Sequence, residues 1–203
     1  MTGLTAKGAA TRQRIIEGAA GVIREIGVSE TTLDDIRLRT ATSKGQLFHY
    51  FPNGREELLL AVAQFEADRV LLDQQPHLSN LTTWDSWQRW KVALLHRYRQ
   101  QGPTCPIAVL MSELGRTDPT AQAVTRSLFL RWRSDLAAGG RAMQESGAVS
   151  TDLDRDRFAG AVVAGIQGGV AILLATGSSA DLEAVLDLLL DQLRTPAEAA
   201  VCS

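Results

Sequence analysis

Two short helices joined by a tight corner are written into residues 31–51, Thr-Thr-Leu-Asp-Asp-Ile-Arg-Leu-Arg-Thr-Ala-Thr-Ser-Lys-Gly-Gln-Leu-Phe-His-Tyr-Phe. Thr32 can cap the first helix, because its hydroxyl can accept a bond from a free first-turn amide. Asp34 and Asp35 follow in that first turn, where negative charge is favoured. Leu33, Ile36 and the stem of Arg37 are spaced to form one buried face. Thr40-Ala41-Thr42 makes the corner and Ser43 caps the second helix. That helix turns Lys44, Gln46, His49 and Tyr50 outward, while Leu47, Phe48 and Phe51 can pack. The outward face consists of donors, acceptors and one cation, which suits a groove lined by base edges and phosphates.

The rest of the chain is helical in pattern. Ile15, Ile16, Ala19, Val22, Ile23 and Ile26 repeat at helical spacing over about Thr11–Ile26, after nine residues without a pattern, and Gly27 stops the run. A long helix is expected from Arg55 to Gln74, with Leu58, Val62, Phe65, Arg69 and Leu72 on one face. Further helices are expected over Trp84–Gln101, Cys105–Leu114, Pro119–Glu145, 155–176 and from Ala180 to about Arg194. Their expected caps are Thr82 or Thr83, Asp118, Asp154 and Ser179. No alternating strand pattern occurs, so the chain is read as all-α with about nine helices.

From Phe158 to Ala180 there is no charged residue. That length could span a bilayer, and Gly165 and Gly169 have GxxxG spacing. The stretch is nevertheless poor in large apolar side chains, carries Gln167 in its middle and lacks flanking aromatic belts. It reads as a soluble helix buried on both faces, with no membrane span.

Charge is uneven. Residues 1–55 hold eight bases and five acids, a sum of +3; the remaining 13 bases and 18 acids sum to −5, giving the net −2 of the whole chain. A basic N-terminal part on an acidic body fits nucleic-acid contact at one end. The three histidines, His49, His77 and His96, have no partner at metal or catalytic spacing. The two cysteines, Cys105 and Cys202, are too far apart to suggest a metal motif or a disulfide framework. No glycine-rich phosphate loop occurs. An enzyme, a metal and a cofactor are therefore not expected. Met1–Lys7 has no signal-peptide core, and a reduced cytoplasmic setting is expected.

Ile36 to Phe51, followed by Pro52-Asn53-Gly54-Arg55-Glu56-Glu57-Leu58, resembles the N-terminal domain of the TetR family of one-component transcriptional repressors. The Leu-Phe-His-Tyr-Phe run before Pro is the most specific part. Two positions depart from the family: Ala41 stands where Gly is usual, and Thr42 stands where a hydrophobic residue is usual. The extra Asn53-Gly54 places Arg55 as the phosphate contact. Later segments resemble, less specifically, the branch that includes regulators similar to LmrA and YxaF.

The resemblance implies a helix-turn-helix DNA-binding domain over residues 9–69 and an effector-binding and dimerisation domain over residues 70–195. It implies that Thr32, Ser43, Lys44, Gln46, Leu47, His49, Tyr50 and Arg55 carry binding to double-stranded DNA at a near-palindromic operator. Lys44, Tyr50 and Arg55 are assigned to phosphates, and Gln46 with Lys44 to base edges. It further implies a homodimer through 155–176 and 180–194, and a small, largely apolar effector that releases the DNA. The candidate effector residues are Phe65, Arg69, Trp87, Trp90, Met111, Glu113, Phe129, Trp132 and Gln167. Aromatic and Met side chains line cavities well, though the same residues also fill ordinary cores. The alternative reading is a helical membrane-associated or protein-binding adaptor without DNA-binding activity.

Overall fold

The computed structural model describes residues 5–101 and 119–194. The described residues divide into two compact units, one of residues 5–70 and 119–128, the other of residues 71–101 and 129–194. Among the described residues there are eight α-helices and no strand. The helix expected at Cys105–Leu114 and the Asp118 cap lie outside the described residues.

In the N-terminal unit, α1 spans Ala6–Ile26. It starts earlier than the apolar repeat suggests because Thr5 caps it, its hydroxyl accepting from Gly8 N at 3.2 Å. α2 (Leu33–Thr40) and α3 (Lys44–Tyr50) follow, then α4 (Arg55–Leu72). Ile15, Ile16, Ala19, Ala20 and Ile23 of α1 pack with Ile36 of α2, Phe51, and Leu58, Leu59 and Val62 of α4 in one core. Burying each such large side chain contributes on the order of 2 kcal/mol. The crossing of α1 and α2 is close: a methyl group on Gly18 would sit 2.2 Å from Thr40 Cγ2.

The expected face of α4 is corrected. Leu72 is 69% exposed, and Phe65 and Arg69 are half-buried. The buried side is instead Leu58, Leu59, Val62, Ala63, Glu66, Ala67 and Val70. A charged residue inside that stripe hid it from the pattern. Glu66 is fully buried because it pairs with Arg24 of α1, which compensates a charge that could not otherwise leave water.

In the C-terminal unit, α5 (Trp84–Gln101) buries Trp87, Trp90, Leu94, Leu95 and Tyr98, as its spacing requires. Thr83 caps it, accepting from Ser86 N at 3.2 Å. α6 (Pro119–Glu145) continues through Gly139-Gly140 without a break. α7 (Arg155–Thr176) is capped by Asp154, which accepts from Asp156 N and Arg157 N. α8 (Ala180–Leu190) ends in a 3-10 turn, Asp191–Leu193. Ser179 does not cap α8 with its side chain; its hydroxyl instead accepts from Arg99 Nε at 2.7 Å.

α7 and α8 form a tight hairpin. A methyl on Gly169 would lie 2.7 Å from Leu182 Cα, and one on Gly165 would meet Val185 and Leu189. The GxxxG spacing is thus used inside the chain. α7 has mean hydropathy 2.0, enough in length and composition to cross a membrane. Within a single chain it is buried on one side only. Phe158, Ala159, Val162, Val163, Ile166, Gly169, Val170 and Leu173 are buried, but Ala161, Ala164, Gly168, Ala171, Ile172 and Leu174 are exposed. Leu188 of α8 is likewise 71% exposed.

Candidate nucleic-acid interface

Each helix of the 31–51 stretch starts with a reciprocal cap. Thr32 Oγ1 accepts from Asp35 N at 3.2 Å, and Asp35 Oδ2 accepts from Thr32 N at 2.9 Å. Those bonds to the charged form hold the Asp35 carboxyl below its ordinary range, the Thr32 hydroxyl contributing most. Ser43 and Gln46 repeat the arrangement on α3, with both bonds at 3.2 Å. Such boxes satisfy amides that the first turn leaves open.

Ala41 closes α2 in the left-handed region, with φ 46° and ψ 44°. Its N–H reaches Leu38 O at 3.4 Å, and Thr42 N reaches Arg37 O at 3.0 Å. Thr42 is buried where a hydrophobic side chain is usual. Its hydroxyl is nevertheless matched: Thr40 Oγ1 lies 2.9 Å away, and Thr42 Oγ1 lies 3.2 Å from Thr40 O.

The corner presents α3 to solvent. Lys44, Gly45, Gln46, Phe48 and His49 are exposed, and Tyr50 is half-buried with its ring edge-on to His49 at 4.9 Å. Phe48 was expected to pack; it is 40% exposed and leans over Gly54. Leu47 has no exposed surface. It therefore supports α3 from beneath and cannot itself touch DNA, which corrects its place among the contact residues. Seven residues make a helix about 10 Å long, short enough to lie in a major groove about 12 Å wide.

Several cations of this unit are committed to the fold. Arg14 donates to Thr40 O, Arg24 pairs with Glu66, Arg37 with Asp34 and Arg39 with Glu25. Arg12 stacks over Phe51 with its guanidinium carbon 5.0 Å from the ring centre. Arg55 donates to Val28 O at 2.6 Å, tying the α1–α2 loop to the start of α4. The expectation that Arg55 serves a phosphate has to compete with that bond. Lys44 stands on the exposed face of α3 with no partner among the described residues. Gln46 Oε1 is spent on Ser43 N at 3.2 Å, which leaves its amide NH2 to face outward.

Residues 15–62 match the family model described as bacterial regulatory proteins, tetR family, and residues 85–189 match the one described as tetracyclin repressor-like, C-terminal domain. The chain belongs to the TetR family. It is 31% identical over 138 residues to an uncharacterized HTH-type transcriptional regulator of Mycobacterium tuberculosis, covering 63% of this chain and 67% of that one. It is 24% identical to the uncharacterized HTH-type transcriptional regulator YxaF of Bacillus subtilis, over 81% of this chain and 85% of that one. A TetR transcriptional regulator from Chloroflexus aurantiacus has the same fold, with TM-score 0.78 and 24% identity over 92% of this chain and 95% of that one.

In this TetR-family regulator the effector candidates fall into separate groups. Phe65 packs against the N-terminal core. Arg69 is half-buried on α4. Met111 and Glu113 lie outside the described residues. In the C-terminal unit Trp87, Trp90 and Trp132 are essentially fully buried, and Phe129 and Gln167 are half-buried. Trp87 meets Trp90 and Phe158 edge-on, with both centroid distances 5.7 Å. Trp90 Nε1 donates to Gln74 Oε1 at 3.0 Å, so its polar edge belongs to the core. Gln74 was missed by sequence reasoning, because a glutamine at a helix end carries no apolar signal. Among the described residues no cluster of His, Cys, Asp and Glu could hold a metal.

Proposed function

We propose that this TetR-family transcriptional regulator is a homodimeric repressor that a small, largely apolar molecule releases from a near-palindromic operator. The supporting observation is α3: capped at its start, seated on Leu47 and Phe51, and offering Lys44, Gln46 and His49 to solvent. Residues 9–69 act as the DNA-binding domain and residues 70–195 as the effector and dimerisation domain. Lys44 and Tyr50 serve phosphates, Arg55 does so if it is released from Val28, and Gln46 reads a base edge through its NH2. Thr32 and Ser43 set the helix starts that aim these groups. The protein works in the cytoplasm by binding, without catalysis.

The dimer forms through α7 and α8. Their outward Ile172, Leu174 and Leu188, interleaved with small residues at 161, 164, 168 and 171, present apolar surface that a second copy can cover. Two copies would set their α3 helices in successive major grooves, roughly 34 Å apart. An effector acts only by binding one dimer geometry better than the other, so effector and operator must oppose each other reciprocally.

The test is a footprint on the DNA upstream of the protein's own gene, with sedimentation of the same sample. Wild type should sediment as a dimer and protect two half-sites one helical turn apart. Gly168→Arg and Leu188→Arg should give folded monomers that protect nothing. Leu188 reports on the interface because it is 71% exposed on its own subunit. A monomeric wild type at micromolar concentration, or a dimer that protects no half-sites in DNA from its own locus, would overturn the reading.

A further inference from the structure

α2 turns Ile36 and Thr40 into the core, so residues 34, 38 and 41 fall together on its far side. The far side of a surface helix normally carries polar groups. Here it carries Leu38, 83% exposed, the most exposed large apolar side chain among the described residues. A lone exposed leucine is ordinary. This one borders an open depression of about 600 Å³ whose other walls are Asp34, Arg37, Ala41, Thr42 and Ser43. A knob and a hole thus stand side by side on one face. Asp34 and Arg37, which pair with each other, are both partly open to solvent there, one acid beside one base.

Such a face is complementary to itself. About a two-fold axis, each of two copies would set Leu38 into the depression of the other, and each Arg37 could turn from its own Asp34 to the facing one. A face shaped for a strongly acidic or basic partner would carry one sign of charge. DNA supplies the symmetry. The inner half-sites of two near-palindromes in tandem are inverted relative to each other, so the α2 helices that meet across the junction are related by a two-fold. One face of a helix about 12 Å long buries far less than the roughly 1,000 Å² of a stable interface. It therefore does not join dimers in free solution, but copies held on neighbouring sites meet at a high effective concentration.

We propose that the Asp34, Arg37 and Leu38 face of α2 joins a second dimer of this protein on adjoining DNA, so that tandem operators fill cooperatively. This rests on the DNA-binding reading above. None of the three residues lies on α3, so the contact and base reading can be separated by mutation.

The experiment uses the full chain and the footprinted site from the protein's own upstream DNA. The site is offered once, or twice with the centres moved apart one base pair at a time through two helical turns, from about 20 to about 41 base pairs. Gel shifts measure both binding steps. Wild type should fill the second site about ten-fold more tightly than the first at the best spacing, and the preference should return about every 10.5 base pairs. Leu38→Gln should remove the preference and leave single-site affinity unchanged. Asp34→Arg should also remove it, judged against its own single-site affinity, and adding Arg37→Asp should restore it by reversing both exchanged pairs. Equal steps at every spacing would overturn the proposal. So would cooperativity that survives Leu38→Gln, which would assign the coupling to deformation of the DNA. Weaker single-site binding by Leu38→Gln would make Leu38 a DNA contact, and a defect seen only in transcription by purified RNA polymerase would give the face to another protein; either result overturns the second copy. Failure of wild type to bind the single site would overturn the DNA-binding reading and this inference with it.

Discussion

The two units differ in which buried polar groups are met: ion pairs and hydroxyls in the N-terminal unit, and one indole of three in the C-terminal unit. In the N-terminal unit, Glu66 is met by Arg24, the Thr40 and Thr42 hydroxyls sit at hydrogen-bonding distance from each other, and Thr31 donates to Gly27 O at 2.6 Å. Arg37 Nε and Glu66 Oε2 make no hydrogen bond of their own, although the same guanidinium pairs with Asp34 through Nη1 and the same carboxylate with Arg24 through Oε1. In the C-terminal unit, Trp87 Nε1, Trp132 Nε1 and Gln167 Nε2 are buried without a hydrogen bond. A reading head must hold one geometry, and closed polar networks resist rearrangement. Two aspartates make the same contrast. Hydrogen bonds from Thr32 lower the pKa of Asp35, whereas burial, only partly offset by Arg131, raises that of Asp135.

The largest effect is expected where a closed network is opened. Arg24→Leu removes the arginine that pairs with the buried Glu66 carboxylate and should cost about 3–5 kcal/mol; chemical denaturation would measure it. A cost below about 1 kcal/mol would mean that the N-terminal network is not the constraint described. Next comes a purely steric break in the other unit. Gly169→Ala drives a methyl into Leu182 Cα and should cost about 1–3 kcal/mol. Gly168→Ala, with nothing within 4 Å, should cost nothing and could stabilise α7. Equal melting temperatures for the two variants would contradict the hairpin packing.

A smaller change sharpens the picture of the corner. Ala41→Gly relieves a left-handed alanine and should stabilise the protein by up to about 1 kcal/mol. A loss of stability would show that the corner is not strained. The smallest effects concern the two aspartates and have opposite signs. Asp35, with its pKa depressed, contributes stability above its unfolded value that is lost as pH falls through the folded one. Asp35→Asn should therefore lower the melting temperature at pH 7 and change little at pH 3. Asp135, with its pKa raised, is favourable only while protonated, below its ordinary 3.8, and that contribution is lost as pH rises. Asp135→Asn should raise the melting temperature at pH 7, with the rise absent at pH 3. Shifts of the same sign for both variants would erase the contrast.

The helix-turn-helix was legible because its signals are local. Caps at Thr32 and Ser43, acids in the first turn and apolar spacing act over three or four residues, and the structure uses them as written. The same holds for α5, α6 and the Asp154 cap of α7. What failed involved a partner distant in sequence. The net +3 of residues 1–55 fits nucleic-acid contact at one end, but it does not tell which cations are free, and several of them are committed to carboxylates, carbonyls or a ring elsewhere in the unit. The buried stripe of α4 was hidden because Glu66 is apolar in effect only once Arg24 faces it. Ser179 has the composition of a cap, but its hydroxyl is taken by Arg99, 80 residues earlier. Trp87, Trp90 and Trp132 looked alike as residue types; one indole meets Gln74 and the other two are buried without an acceptor. Periodicity and capping depend on neighbours along the chain, so the amino-acid order alone determined them. Which polar group is satisfied depends on which atoms arrive opposite it, and only the folded chain decides that.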